Sequence, residues 1–129
     1  MTGCLQIENL KKLESELPSK FYDKIISSVD FIVDSVDAAE QIYLFGSCAR
    51  CEPKWDSDID LAVISEFPIT DHYLRGYVID TLDGESKFGV RADVIFRTQV
   101  MADISKTFKE VFDQDKILLW ERGDNFVSK

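Results

Sequence analysis

At 129 residues, with 45% hydrophobic and 30% charged residues, the chain has the size and composition of one soluble globular domain, too short for two sizeable independent cores. No apolar run approaches the ~20 residues needed to cross a bilayer, which excludes a membrane-spanning protein. A net charge of -9 excludes extended DNA or RNA as a ligand, because such binding draws on many Lys and Arg contacts to phosphates. The same charge invites a basic protein partner, and a bound nucleotide would need local neutralisation, for which a metal held by carboxylates is the obvious means. The stretch Met1-Thr2-Gly3-Cys4-Leu5 lacks the basic patch and apolar core of a secretory signal, so a cytoplasmic location is expected.

Leu10, Leu13 and Leu17 recur at helical spacing, Pro18 closes that segment, and Ser19 offers an N-cap for the next. Two helices are thus expected over residues 5–37. In the second, Tyr22, Ile25, Ile26, Val29, Ile32, Val33 and Val36 follow the helical period, while Asp30, Asp34 and Asp37 form a solvated face. A catalytic core is expected over 41–121. It begins with a short buried strand, Gln41 to Phe45, that turns at Gly46 into a further helix. A polar loop with Pro53 and Asp56 leads to a second strand, Ile59 to Ile64. Tyr73, Leu74, Tyr77, Val78 and Leu82 predict an amphipathic helix stopping near Gly84. Val90 to Phe96 reads as a third strand, and Val100, Ile104, Phe108, Val111 and Phe112 as the apolar face of a last helix. A final short strand is expected at Ile117 to Trp120. The fold class is α/β (α+β), a small mixed sheet flanked by helices, with the aromatic and aliphatic stripes forming the core.

Three cysteines in a chain of cytosolic character argue against a disulfide framework. Cys48 and Cys51 form a Cys-x-x-Cys pair, but only Cys4 and the single His72 remain as further soft ligands for zinc. Two small half-buried residues at a helix start are the expected reading.

Strand side chains alternate, so Asp58 and Asp60 point to one side and Ile59, Leu61 and Val63 to the other. Bringing like charges together is costly unless a divalent cation sits between them, and Mg²⁺ is the hard, phosphate-associated candidate. Asp93 interrupts an apolar strand, where a third metal-facing carboxylate or an ion pair with Arg91 would account for it. Three carboxylates suit two metal ions, with Asp93 as general base. Gly46 and Ser47 at the strand-to-helix turn make an anion cradle, and Arg50 adds a further phosphate contact.

Leu44-Phe45-Gly46-Ser47-Cys48-Ala49-Arg50 followed by Ser57-Asp58-Ile59-Asp60-Leu61 resembles the signature of polymerase-β-like nucleotidyltransferases. Within that superfamily the sequence is most similar to the minimal nucleotidyltransferases (MNT) that pair with HEPN-domain proteins in toxin–antitoxin systems. The resemblance covers roughly Ile42 to Trp120. It implies Gly46, Ser47, Arg50 and Ser57 at the nucleotide, and Asp58, Asp60 and Asp93 as catalytic metal ligands for two Mg²⁺ ions. It also implies ATP as substrate and a tyrosine of a HEPN-type toxin as AMP acceptor, with the chain acting as antitoxin. The departure is Cys51, where relatives usually place a glycine, which bears on the loop path and not on the chemistry. Two alternatives remain: a binding module that neutralises a toxin by covering it, and a transferase acting on a small molecule such as an aminoglycoside. Enzymes of the latter kind generally add a C-terminal helical domain, of which this sequence gives no sign.

Overall fold

The computed structural model describes residues 3–84, 89–99 and 106–123. Along the chain lie β1 (Gly3–Leu5), α1 (Ile7–Glu16), α2 (Ser19–Ser35), β2 (Ala39–Phe45), β3 (Ile59–Ser65), α3 (His72–Asp83), β4 (Ala92–Thr98), α4 (Lys106–Asp115) and β5 (Ile117–Arg122). The strands form one mixed sheet in the order β1-β5-β2-β3-β4. Only β3 and β4 run parallel, and the crossover such a pair requires carries α3. The expected mixed sheet with flanking helices is the fold observed.

Period-two alternation sorts the sheet into two faces. Ile42, Leu44, Ile59, Leu61, Val63, Ala92 and Val94 join the main core with Leu10 and Leu13 of α1, Phe21, Ile25, Val29 and Ile32 of α2, and Val78 and Leu82 of α3. The other face offers Tyr43, Phe45, Ala62, Ile64 and Ile95, which pack against Phe108 and Phe112 of α4. Phe112 meets Phe45 and Tyr43 edge-on at 5.5 and 5.6 Å between ring centres, a favoured aromatic geometry. Phe112 is thereby fixed under the sheet beside the strand ends that carry the acidic residues.

Two helix ends are tied down by side chains. At the start of α3, Asp71 accepts a hydrogen bond from the Leu74 amide at 3.0 Å, satisfying one of the free donors there. At its far end, the Lys24 Nζ of α2 donates to the Gly84 carbonyl at 2.8 Å, placing a cation at the negative end of the helix dipole. Burial lowers the Lys24 pKa, and the nearby Asp83 offsets part of that effect.

Several expectations are corrected. A strand, β1, precedes the two helices, and the last strand is interior, paired with both β1 and β2. Pro18 occupies the N-cap position of α2 and no side chain caps it, because Ser19 already lies in the first turn. Tyr73 and Tyr77, expected in the core, are 92% and 58% exposed; α3 buries only Val78 and Leu82. Val111 is likewise exposed. Val100 and Ile104 lie outside the described residues. Asp30, Asp34 and Asp37 are solvent-facing as expected.

Candidate functional site

The site lies where β2 ends and β3 and β4 begin. Gly46 closes β2 with φ +80°, a left-handed conformation that glycine adopts without strain. A Cβ there would collide with the Asp60 carboxylate, so glycine is what lets that carboxylate rest against the main chain. Beyond Gly46 the expected helix is absent, and residues 47–51 form successive turns instead. The Arg50 amide donates to the Gly46 carbonyl at 3.2 Å, the Cys51 amide to Cys48 at 3.0 Å and the Glu52 amide to Ser47 at 2.9 Å. One turn of helix-like bonding therefore replaces the predicted helix. Too few residues intervene for more, because Pro53 and the turn at 54–57 follow at once.

Cys51 adopts φ +59°, which explains why glycine suits that position: a side chain is strained there. Its Sγ lies 2.9 Å from Glu16 Oε2, tethering the turn to the end of α1. The Cys48 thiol is fully buried and pushed up to about 12, by burial first and then by the charges of Asp60, Cys51 and Asp58. Cys51 is raised to about 11, again mainly by burial. All three cysteines are free. Thiols so protonated are poor nucleophiles, and the pair packs, as the sequence reading expects, though in a turn rather than at a helix start.

The Ser57 hydroxyl accepts from the Lys54 amide at 2.8 Å, and the Ser57 amide donates to the Lys54 carbonyl at 2.9 Å. Ser57 thus builds the turn that delivers Asp58 to the head of β3. The Lys20 Nζ donates to the Trp55 carbonyl, bracing the same loop from α2 and holding an exposed tryptophan near Asp58. Trp55, Asp56, Ser57, Asp58, Val90 and Arg91 line a small cavity of about 210 Å³ beside the acidic residues.

Asp60 and Asp93 are register partners across the parallel β3–β4 pair, and the Ile59 amide donates to the Arg91 carbonyl at 3.0 Å just before them. Asp60 is half-buried, whereas Asp58 and Asp93 are exposed. The Asp60 acid is raised to about 6, chiefly by burial, then by the charges of Asp93 and Asp58, with Arg50 pulling it down. Asp93 makes no ion pair with Arg91 within 4 Å among the described residues, so that explanation of a charge inside β4 falls away.

The structure brings Gly46, Asp60 and Asp93 together, with Asp58 and Arg50 close enough to act on Asp60 electrostatically. Oxygen-only donors of this kind suit a hard divalent cation. Among the described residues no group of three His, Cys, Asp or Glu side chains is placed to hold a metal ion, so the expected joining of Asp58, Asp60 and Asp93 into one ligand set is not what the structure shows. Sequence reasoning missed Asp115, the last residue of α4, whose carboxylate pairs with Arg50 Nη1 at 2.5 Å. Only its place at a helix C-terminus, where an acid is disfavoured, signals it.

This fold, with a glycine-serine turn beside carboxylates on adjacent strands, defines a nucleotidyl-group transferase. Residues 28–123 match the family model "Polymerase beta, Nucleotidyltransferase", and the chain belongs to that family. Among solved structures it is similar to a toxin–antitoxin complex with AMP-PNP, at 24% identity and TM-score 0.57 over 77% of this chain and 72% of that one. A putative nucleotidyltransferase from Sulfolobus solfataricus is 24% identical with TM-score 0.50, covering 95% of this chain and 93% of that one. The complex of a tri-AMPylated Shewanella oneidensis HEPN toxin with MNT antitoxin is 21% identical with TM-score 0.51, covering 76% and 72%. No curated protein sequence matches the chain. No helix of the described residues is long and apolar enough to cross a membrane.

Proposed function

We propose that this nucleotidyltransferase moves AMP from ATP to a hydroxyl, a tyrosine of a HEPN-type protein partner, and thereby silences that partner as its antitoxin in the cytoplasm. The carrying observation is the Asp60 carboxylate lying against Gly46, in register with Asp93 across the β3–β4 pair. Two structural neighbours support the reading: one is a toxin–antitoxin complex with AMP-PNP, the other an MNT antitoxin with an AMPylated HEPN toxin.

In this reading the Gly46 and Ser47 turn receives the triphosphate through backbone amides and the serine hydroxyl, and Arg50 adds charge-assisted contacts to its oxygens. Ser57 keeps the approach to Asp58 in place. Asp58, Asp60 and Asp93 would hold Mg²⁺, two ions, which when bound neutralise the polyphosphate and favour ionisation of the attacking hydroxyl. Asp93 accepts the acceptor's proton. The acceptor oxygen bonds to the α-phosphorus as the bond to the bridging oxygen breaks, and that oxygen leaves with pyrophosphate.

The test supplies Mg²⁺ and ATP labelled at the α-phosphate to the chain and a co-expressed HEPN-type partner. Label is expected on the partner and is expected to vanish with EDTA or in Asp60→Ala. Undiminished labelling by Asp60→Ala sinks the site assignment. A partner silenced without label, equally by Asp58→Ala, replaces transfer with neutralisation by covering.

A further inference from the structure

Arg50 and Asp115 stand 65 residues apart, yet they form the shortest ion pair among the described residues, with Nη1 to Oδ2 at 2.5 Å. The two ends of that pair differ sharply. The Asp115 side chain is 7% exposed while that of Arg50 is 47% exposed. Asp115 also ends α4, where the helix dipole opposes a negative charge. A buried acid at the unfavourable end of a helix needs a compensating partner, and here the partner is a residue of the Gly46–Ser47 turn.

The pair is not what sets the path of that turn. Three backbone hydrogen bonds fix residues 46–52, and the Cys51–Glu16 contact anchors them to α1. A half-exposed ion pair adds little to stability on top of such bonds. What it does fix is the direction of the guanidinium. Asp115 takes Nη1 and Glu52 approaches Nε at 3.7 Å, while Nη2 makes no ion pair among the described residues. Arg50 also exerts its charge on Asp60, so the oriented group lies within electrostatic reach of the acidic cluster.

We infer that Asp115 is a positioning residue, holding the Arg50 guanidinium beside the Gly46–Ser47 turn so that Arg50 meets the triphosphate of ATP already oriented. A flexible arginine loses rotamer freedom when it clamps a ligand, and an arginine held in advance does not. The inference rests on the proposed reading only in taking ATP as the nucleotide, and its readout is binding rather than transfer.

The experiment measures the dissociation constant for ATP with Mg²⁺ by calorimetry on the whole chain, for wild type, Asp115→Asn, Asp115→Glu, Arg50→Ala and the Arg50→Ala/Asp115→Asn double variant, with thermal melts alongside. Asp115→Asn is expected to weaken ATP binding about tenfold, with turnover at saturating ATP within about twofold of wild type. Asp115→Glu is expected to recover part of the loss. In the Arg50→Ala background Asp115→Asn is expected to have no further effect, because the two act as one unit. Unchanged ATP affinity in Asp115→Asn overturns the inference, as does an equal loss with and without Arg50. A wild type that binds ATP but labels no partner removes the transfer reading and leaves the role of Asp115 standing; one that binds no ATP removes both.

Discussion

Replacing Asp60 by asparagine keeps the side chain's size and removes a charge that the folded protein opposes. Burial, then the nearby Asp93 and Asp58, raise this acid from 3.8 to about 6, against a partial downward pull from Arg50. As pH rises through that interval, the unfolded chain gives up its proton before the folded one does. Stability is therefore fully present below the ordinary value and is lost as pH climbs through the folded-state value. That difference corresponds to ~3 kcal/mol. Asp60 is only half-buried and its acidic neighbours face solvent, so screening reduces this to on the order of 1–2 kcal/mol. In EDTA, followed by circular dichroism, Asp60→Asn is expected to melt roughly 3–6 °C above wild type at pH 8. At pH 4.5 the advantage is expected to shrink to about a third, since only the unfolded chain has begun to ionise. Added Mg²⁺ is expected to narrow the gap at pH 8 by stabilising wild type alone. An advantage of the same size at both pH values, or a variant less stable than wild type at pH 8, would refute the reasoning.

Gly46→Ala places a Cβ in left-handed backbone, at ~1–2 kcal/mol, and drives it into the Asp60 carboxylate. Its kcat/KM for ATP in the labelling assay is expected to fall about 100-fold from the misplaced carboxylate, with a melting point only a few degrees lower. Cys51→Ala keeps the strained φ and loses the Glu16 contact, whereas Cys51→Gly relieves the strain; the glycine variant is expected to exceed the alanine variant by ~1 kcal/mol in urea unfolding. Phe112→Ala empties a buried position ringed by Phe45, Tyr43 and Phe108, and a loss of ~3–4 kcal/mol is expected in the same measurement. A loss below ~1 kcal/mol there shows that α4 does not seal the face bearing the site.

The sequence showed most clearly those elements whose order is enforced by burial on a repeating period. Leu10 and Leu13, and Ile25, Val29 and Ile32, follow from helical spacing alone, though Phe21 and not Tyr22 is the buried aromatic at the head of α2, and Ile59 to Ile64 reads as a buried strand because both its faces are covered. β1 was illegible: three residues give no period, and only pairing with β5 makes them a strand. Tyr73 and Tyr77 face solvent against expectation because an aromatic at helical spacing does not reveal that the neighbouring layer ends short of it. In the site, Asp58, Asp60, Asp93 and Gly46 stood out because charges at strand heads and a glycine at a strand end are locally anomalous. The turn after Gly46 reads as a helix because its one helix-like bond looks the same in sequence as the first of many. Asp115 and Glu16, which reach the turn from other elements, leave no local trace, since their meaning depends on distant partners.

The position of β5 has a consequence for how the protein is made. It fills the gap between β1 and β2, so β1 has its only described strand partner in β5, far along the chain, Gly3 facing Arg122. Residues 39–98 can close their three-strand ladder during synthesis, whereas β1 waits, unpaired and edge-exposed, until β5 is free of the exit tunnel. This half of the sheet is thus expected to mature after the three-strand ladder, and a slowed ribosome between β1 and β5 would prolong the interval in which the nascent chain needs shelter from its neighbours.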